Sequence, residues 1–422
     1  MQTQVRTLMN RMQPIPGFRY ASIELVDGRG GLELEVDIQA HRQRKGLCSV
    51  CLKPAPTYDH LPRREWEGVP LGVAKVRFGY EPRRVACPTD GIRVEAMPWS
   101  EGKRPWTRGM MLFLARWARR LSWRDVSRVF EVSWESVYRS VDWIVEWGLA
   151  HRDLDGITAI GVDELHVGKG KRAANFVTAI YQLDVGCRRL LWLGLRRTER
   201  TLRAGLKSLG RDVVAGIRVF ISDMWRPYLA VARKQLSEAV HVLDRFHLTA
   251  LLNKAVDQVR RSEGQSLRGR VRGQRLKKTR WLLLKPHTRV RGKARERLEA
   301  VIHSKLRTAR AWSLKEAFAH FWTYNHPRWA ERFLDAWITR ALRSRLAPMR
   351  KVAQTFRDHE PLILNWFACK KAFSNAAVEG LNNKVRVVTR RSYGFRRFPV
   401  LQTALYHALG QLPEPELTHR FC

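Results

Sequence analysis

Apolar and polar positions change their rhythm several times along this chain. Residues Gly31 to Ile38 (GLELEVDI) alternate with the period of a half-buried strand. From His41 to Trp99 short apolar stretches are broken by Pro and Gly, and Lys75 to Tyr80 followed by Arg83 to Cys87 predicts a hairpin. From Thr107 to Leu149 Trp and Leu recur at spacings of three and four, the rhythm of helices. Three apolar strands are then expected in succession, Ile157 to Val162, Phe176 to Leu183 and Leu190 to Leu195. A helix at Glu199 to Leu209, a strand at Ile217 to Ser222, a helix from Pro227 to Leu236 and a strand at Ala239 to Leu243 follow, before a helix that starts at Phe246. Pro227 sits in a first turn, where its missing N–H costs nothing. From Ser266 to Phe367 the pattern is nearly all helical, and Ser374 to Leu409 reads as a helix, a basic turn and a second helix. No internal repeat is visible.

Composition adds one decisive fact. The 422 residues hold 78 Lys and Arg against 39 Asp and Glu, a net charge of +39, while 45% are hydrophobic. That hydrophobic share excludes wholesale disorder, and the length suggests roughly two to four domains. So large a charge repels itself unless it meets a polyanion, and nucleic acid is the polyanion with regularly spaced charge. No apolar run approaches the roughly 18 residues of a membrane-spanning helix. Met1 to Gly17 lacks the apolar stretch of a secretory signal, and six cysteines are too few for a disulfide scaffold. A cytoplasmic protein with reduced thiols is expected, with no membrane partner.

The order of three strands, helix, strand, helix, strand is that of ribonuclease H-like α/β folds. Asp163 follows the first strand (IGVDE) and Asp223 the fourth (FISDMW), and those two strands can lie side by side. Glu379 lies in a helix-forming segment near the C-terminus (SNAAVEGLNNK). Three carboxylates at one sheet edge suit a pair of Mg²⁺ or Mn²⁺ ions, hard cations that prefer oxygen and that clamp both oxygens of a phosphoryl displacement. Each acid alone has a plainer reading, as turn former, helix cap or solvated helix residue. Together, on a chain this basic, they favour metal. Asp244, with His247 three residues on, is a further candidate, read more readily as a helix cap beside a packed or surface histidine.

Further constellations bear on partners. Cys48-x-x-Cys51 is a zinc half-site, and Cys87 with Asp90 (CPTD) offers a second, with His60 as an alternative fourth ligand. The plainer reading is three thiols without an ion. Leu121 to Trp147 fits a helix-turn-helix: Ser122 caps a helix whose apolar face includes Val126 and Val129, a break falls near Glu131 to Ser133, and Ser133 caps a helix bearing Val137, Val141 and Ile144. Trp134, Glu135, Ser136, Tyr138 and Arg139 then face DNA, unless this is an ordinary helical hairpin. Arg268 to Arg280 carries seven Lys or Arg. Arg386 to Arg397 carries five Arg (Arg386, Arg390, Arg391, Arg396, Arg397) with Tyr393 and Phe395 between them, a pattern of phosphate clamps and stacking surfaces. Lys169, in a Gly-Lys-Gly turn, either touches a phosphate or solubilises its loop.

GVDE at 161–164, ISDMWRPY at 221–228 and VLDRFHL at 242–248 resemble the DDE transposases of bacterial insertion sequences. ILNWF at 363–367, VEGLNNKVRVVTRRSYGFRRF at 378–398 and LPEPELTHRFC at 412–422 look like the ISL-three family among them. The resemblance covers nearly the whole chain from Cys48-x-x-Cys51 onward. It implies a catalytic triad of Asp163, Asp223 and Glu379, and a helical insertion between the second Asp and the Glu. That family usually has Cys or His where Asp90 stands, so this chain departs from it there. The expected organisation is an N-terminal arm (1–40), a zinc-ribbon-like domain (41–99), a helix-turn-helix domain (100–150), a ribonuclease H-like core (155–265), a helical insertion (266–369) and a C-terminal part of the core carrying the Glu (370–422). The expected function is binding of terminal inverted repeats, followed by metal-dependent cleavage and strand transfer into target DNA, in a nucleoid-associated protein. Because two element ends must be joined, a homo-oligomer on DNA is expected. A structure-specific DNA nuclease and a DNA-binding regulator are the alternatives.

Overall fold

The computed structural model describes residues 2–28, 31–167, 176–369 and 376–416. Lys169 and the end of the C-terminal motif lie outside these. Among the described residues, those up to 153 and from 387 onward form one compact unit, and those from 154 to 386 form a second.

The first unit opens with helix α1 (Gln2–Met12) and the long strands β1 (Phe18–Gly28) and β2 (Gly31–Ala40). Short strands follow: β3 (Gly46–Leu47), β4 (Pro54–Ala55), β5 (Thr57–His60), β6 (Arg64–Glu67), β7 (Lys75–Tyr80), β8 (Arg83–Cys87) and β9 (Gly91–Val94). One sheet runs β1-β2-β7-β6, so residues 1–40 are not a separate arm. Alternation along β2 buries Leu34, Val36 and Ile38 with Trp66, Phe78, Tyr80 and Trp99, and that shared core joins the arm to the segment after it. A three-stranded sheet β5-β8-β9 and the pair β3-β4 hold a smaller core around Cys48, Ala55, Val85 and Cys87. The expected hairpin of β7 and β8 does not form: the two strands pair in different sheets.

Helices α2 (Arg108–Arg120), α3 (Trp123–Val129) and α4 (Trp134–Ala150) complete the N-terminal part. Ser122 and Ser133 cap α3 and α4, each hydroxyl accepting the backbone N–H three residues on. Glu131 takes a left-handed conformation (φ 51°) at the turn between them. Val126, Val137, Val141 and Ile144 are buried as expected, whereas Val129 is exposed at the end of α3.

The second unit contains β10 (Ala159–His166), β11 (Phe176–Gln182), β12 (Arg189–Leu195), α5 (Glu199–Leu209), α6 (Arg211–Gly216), β13 (Val219–Ser222), α7 (Arg226–Gln235) and β14 (Val240–Leu243). The sheet order is β12-β11-β10-β13-β14. The first three strands are antiparallel neighbours, while β13 and β14 run parallel to β10. Ile160, Val162, Ile180, Leu191 and Phe220 share a core with Leu202 and Leu206 of α5 and Tyr228 and Val231 of α7.

Helices α8 (Arg245–Ser266), α9 (Val271–Gln274), α10 (Arg280–Leu284), α11 (Lys293–Ile302), α12 (Arg307–Ala319), α13 (Pro327–Arg343), α14 (Ala347–Asp358) and α15 (Glu360–Ala368) follow. The helical body begins with α8, which packs on α12 and α14. Its last helix returns to the sheet, where Asn365 donates to the His241 carbonyl of β14 (2.8 Å).

Helix α16 (Ala376–Arg391) contributes to both units, and α17 (Phe398–Leu409) belongs to the first. The stretch from 387 on therefore groups with the N-terminal helices rather than with the sheet that precedes it in sequence. α17 buries Leu401, Ala404, Leu405 and Leu409, and its Thr403 hydroxyl donates to Asp142 of α4 (2.7 Å). Glu414 pairs with Arg116 and Arg119 of α2 (3.0 and 2.9 Å). None of the described helices is long and apolar enough to cross a membrane.

The helical body has a polar keystone. Glu263, near the end of α8, is buried and accepts the Arg307 and Thr308 backbone N–H groups and the Thr308 hydroxyl, each at 2.7 Å. It caps α12 from another helix, satisfying donors that a helix start leaves open. Glu263→Ala is expected to destabilise the second unit by about 2–3 kcal/mol, through buried donors left without acceptors. Urea unfolding followed by circular dichroism checks this, and Glu263→Gln, which keeps one acceptor, should lose less.

Candidate active site

The parallel pairing of β10 with β13 sets the level of the first two acids. Gly161 is opposite Ile221, and Asp163 and Asp223 each stand two residues further along. Asp163 lies inside β10, paired with Ala179 of β11, rather than just after the strand. Asp223 follows β13 directly, and its carboxylate accepts the Trp225 N–H (3.0 Å). Ser222 pairs with Leu243, so Asp244 begins its turn beside Asp223. Asp163 within β10, and Asp223 and Asp244 just past β13 and β14, thus stand on three neighbouring strands towards one end of the sheet. Asp244 is also the N-cap of α8, accepting the Phe246 N–H (2.6 Å).

Helix α16, which carries Glu379, packs against β10 beside Asp163. Asn382, three residues later on α16, donates its amide N–H to Asp163 Oδ2. Its own carbonyl oxygen accepts the buried Tyr181 hydroxyl of β11 (2.9 Å). Residues three apart on a helix share a face. Glu379 is exposed, one turn before that contact. Gly161 permits the close approach: a Cβ there would stand 2.9 Å from Val378 on α16. Among the described residues, Asp163, Asp223 and Glu379 do not bring their oxygens into one group within 4.8 Å.

Burial dominates the electrostatics. It holds the Asp163 carboxyl above its ordinary value, although the Glu164 N–H, His247 and the Asn382 amide pull it down. Glu164, the next residue, is pushed up to about 8 by burial and by the charges of Asp223 and Asp163. Arg197 lies between Glu164 and Asp223, 3.0 Å from the latter, with its guanidinium 4.4 Å over the Trp225 ring. His247 stands 3.0 Å from Asp244. Burial alone would lower its imidazole, but the hydrogen bond to Asp244 and the charges of Asp244, Asp163 and Asp223 push it up to about 9. Arg197 and Tyr181 had no obvious sequence signal, whereas Glu164 and Asn382 lie within the GVDE and VEGLNNK motifs without having been singled out. Asp244 and His247 belong to this cluster more closely than their plain cap reading suggests.

A second donor group lies in the first unit. The ligand atoms of Cys48, Cys51, Cys87 and Asp90 all fall within 4.8 Å of one another. The Asp90 carboxylate is 3.3 Å from the Cys48 sulfur and 3.4 Å from the Cys87 sulfur, and Cys51 and Cys87 are 3.5 Å apart. A tetrahedron of Zn–S bonds near 2.3 Å has edges of roughly 3.7 Å, so this spacing fits one ion, and it is too long for disulfides. Asp90 is the fourth donor of this group. His60 is exposed on β5 and is not in the group.

The residues expected to meet DNA divide into those engaged within the fold and those exposed, of which Arg386 also donates to Asn383 on its own helix (3.0 Å). Trp134 stacks on Tyr138 (centroids 5.7 Å apart), and Trp123 packs against both and against Phe395. Ser136 belongs to the α4 cap, and Arg139 pairs with Glu135 on its own helix (3.0 Å). Arg391 is committed internally, donating to the carbonyls of Ala118, Arg119 and Arg120 at the end of α2. Arg386, Arg390, Arg396 and Arg397 are exposed. Tyr393 is 98% exposed on a left-handed turn (φ 54°). A cleft of about 750 Å³ lies among Arg124, Arg128, Trp134, Arg390 and Tyr393.

The raised His247 imidazole has a consequence for stability. The fold holds a proton that the unfolded chain releases near pH 6.5, so the stabilisation is complete below that pH and is lost as pH rises through about 9. The stability difference between wild type and His247→Gln should therefore be largest at pH 6 and shrink towards pH 9.5, in urea unfolding with divalent ions chelated.

Comparison with known proteins adds to this geometry. The ISL3 (ISL-three) family model of DDE transposases, described as "Transposase", matches residues 160–405, more than half of the chain, from the start of β10 into α17. The transposase for insertion sequence element IS1001 of Bordetella parapertussis is 26% identical over 353 residues, covering 83% of this chain and 85% of that protein. The transposase for insertion sequence element IS1557 of Mycobacterium tuberculosis is 26% identical over 375 residues, covering 83% and 82%. The sheet with its row of acids and the helix bearing Glu379 both fall inside the matched span, and the chain belongs to the ISL3 family of DDE transposases.

Proposed function

We propose that the chain is the transposase of a bacterial insertion sequence, that it recognises the terminal inverted repeats, and that Asp163, Asp223 and Glu379 form its catalytic triad. One observation carries the reading: Asp163 in β10 and Asp223 just past the adjacent parallel strand β13 stand in the same register, and the helix of Glu379 is bonded to Asp163 through Asn382. The order β12-β11-β10-β13-β14, antiparallel and then parallel, supports a ribonuclease H-like core interrupted by the helical body from α8 to α15. The donor chemistry fits two Mg²⁺ or Mn²⁺ ions. Oxygens are the ligands hard cations take, and crowded buried carboxylates hold negative charge that a divalent ion relieves.

The ions supply Lewis acidity for phosphoryl displacement. The chain's own residues do the rest. Asp163 is aimed by the Glu164 N–H (2.7 Å) and the Asn382 amide. Arg197 holds Asp223 in place. Exposed Arg386, Arg390, Arg396 and Arg397 contact phosphates, with Tyr393 as a stacking surface. The start of α4, with Trp134, Ser136 and Arg139, enters the major groove. Arg391 serves this surface indirectly, by closing the end of α2. Water attacks the phosphodiester at the element end and the 3′ oxygen leaves. That 3′-hydroxyl gives up its proton and attacks a phosphodiester of target DNA, forming a new P–O bond as the P–O3′ bond of the target strand breaks and its 3′ oxygen leaves and is protonated. Joining two ends calls for a homo-oligomer on DNA.

Asp163→Asn, Asp223→Asn and Glu379→Gln should each lower cleavage of a labelled terminal fragment by on the order of 10³-fold, while binding to the same fragment in Ca²⁺ persists. Undiminished cleavage would sink the triad. A pre-cleaved end separates a transposase from a nuclease: strand transfer into plasmid DNA is expected, and a structure-specific nuclease gives none. A DNA-binding regulator would keep its function in Asp163→Asn.

We also propose that Cys48, Cys51, Cys87 and Asp90 hold one structural Zn²⁺. Purified protein should carry about one zinc outside the carboxylate site by elemental analysis. Cys48→Ser should lose it and expose 41–99 to proteolysis, whereas Asp90→Cys should retain it against higher chelator concentrations.

A further inference from the structure

Two hydrogen bonds join three distant stretches of chain at the acids. The Tyr181 hydroxyl donates to Asn382 Oδ1 (2.9 Å), and Asn382 Nδ2 donates to Asp163 Oδ2. The other Asp163 oxygen accepts the Glu164 N–H at 2.7 Å. Both oxygens are therefore held, which fixes the plane of the carboxylate while leaving lone pairs free.

The chemistry permits one orientation of the amide. A carboxylate only accepts, so the Asn382 NH₂ must face Asp163 and its oxygen must face Tyr181. The tyrosine keeps the proton this needs. Its side chain is fully buried, and burial together with the Asp163 charge pushes the phenol far above its ordinary range. The chain of donors thus runs one way, from Tyr181 through Asn382 to Asp163. Gly161 lets α16 approach β10 at Val378, and Leu381 and Val385 are buried on the same helix. The turn that carries Glu379 sits directly before this anchor.

We infer that Asn382, oriented by Tyr181, is a positioning residue of the acid site: it aims the Asp163 carboxylate and docks the turn of α16 that bears Glu379. The inference rests on Asp163 and Glu379 being metal-holding acids. A side chain that merely filled space would not affect metal affinity. A partner that orients a ligand does, typically by 10–100-fold.

The test uses the full-length protein and Mn²⁺ alone as probe. Mn²⁺ is titrated without DNA, following the rise in melting temperature, and single-turnover cleavage of a terminal fragment is measured at a fixed subsaturating Mn²⁺ concentration. Asn382→Ala is expected to raise the Mn²⁺ concentration for half the thermal shift by about tenfold or more, and to slow cleavage by a similar factor, with DNA affinity in Ca²⁺ unchanged. Tyr181→Phe keeps the buried ring and removes only the hydroxyl. It should shift both readouts in the same direction by less, and it carries the test if Asn382→Ala fails to fold. The double variant should be no worse than Asn382→Ala, because the two side chains act as one unit. Wild-type Mn²⁺ titration and cleavage in both single variants, with Asp163→Asn defective in both readouts, would overturn the clamp and leave the triad standing. If Asp163→Asn itself binds Mn²⁺ and cleaves normally, the acid assignment beneath it fails instead.

Discussion

Several carboxylates drawn out of water at one sheet end impose the constraint around which the second unit is built. Asp163, Glu164, Asp223 and Asp244 lie close together: the Asp244 charge raises the Asp163 carboxyl, and the charges of Asp223 and Asp163 raise that of Glu164. Left alone, such a cluster would take up protons or push apart. Its answer is local. Arg197 reaches both Glu164 and Asp223, His247 sits against Asp244, and the Asn382 amide and the Glu164 N–H each take one oxygen of Asp163. Each partner arrives from a different element, so the acids can stay together only if β10, β13, α8 and α16 all hold their places. Gly161 belongs to the same arrangement, since a Cβ there would crowd the side chains of Leu183 and of Val378 on α16.

Charge on this chain is of two kinds. Some of the surplus arginine is spent inside. Arg83 makes a buried pair with Glu95, Arg260 bonds Asp257, and Arg391 closes the end of α2. Cations so engaged lend rigidity and little long-range attraction. The exposed arginines around Tyr393, by contrast, stand on a turn whose left-handed residues, Tyr393 and Gly394, hold it open to solvent. A phosphate backbone would meet charge there that the fold has not already neutralised. Net charge alone does not sort one kind from the other.

Much of the arrangement was legible from the residues. The apolar runs from Ile157 to Leu243 carry the five strands in their right order, because a buried strand must be apolar whatever it pairs with. Ser122 and Ser133 marked their helix starts, since a cap is a local hydrogen bond. Cys48, Cys51, Cys87 and Asp90 converge as their spacing suggested. Other features were hidden. The boundary drawn at residue 40 dissolves, because β2 pairs with β7 from beyond it. Val129 was expected inside and lies outside, where α3 ends too soon to cover it. His60 offered the right chemistry and stands on the wrong strand.

What the sequence by itself determined are the quantities that depend on near neighbours: strand and helix identity, caps, the surplus of positive charge, and which acids end which strands. Tertiary structure alone decided which partners those acids meet. Tyr181, Asn382 and Asp163 are separated by up to 219 residues and have no local reason to pair. Their contact exists because a parallel strand crossover, a long helical detour and one missing side chain at Gly161 bring α16 down onto β10. A hydrogen bond acts over about 3 Å in space and is indifferent to distance along the chain, so composition and periodicity could not have announced it.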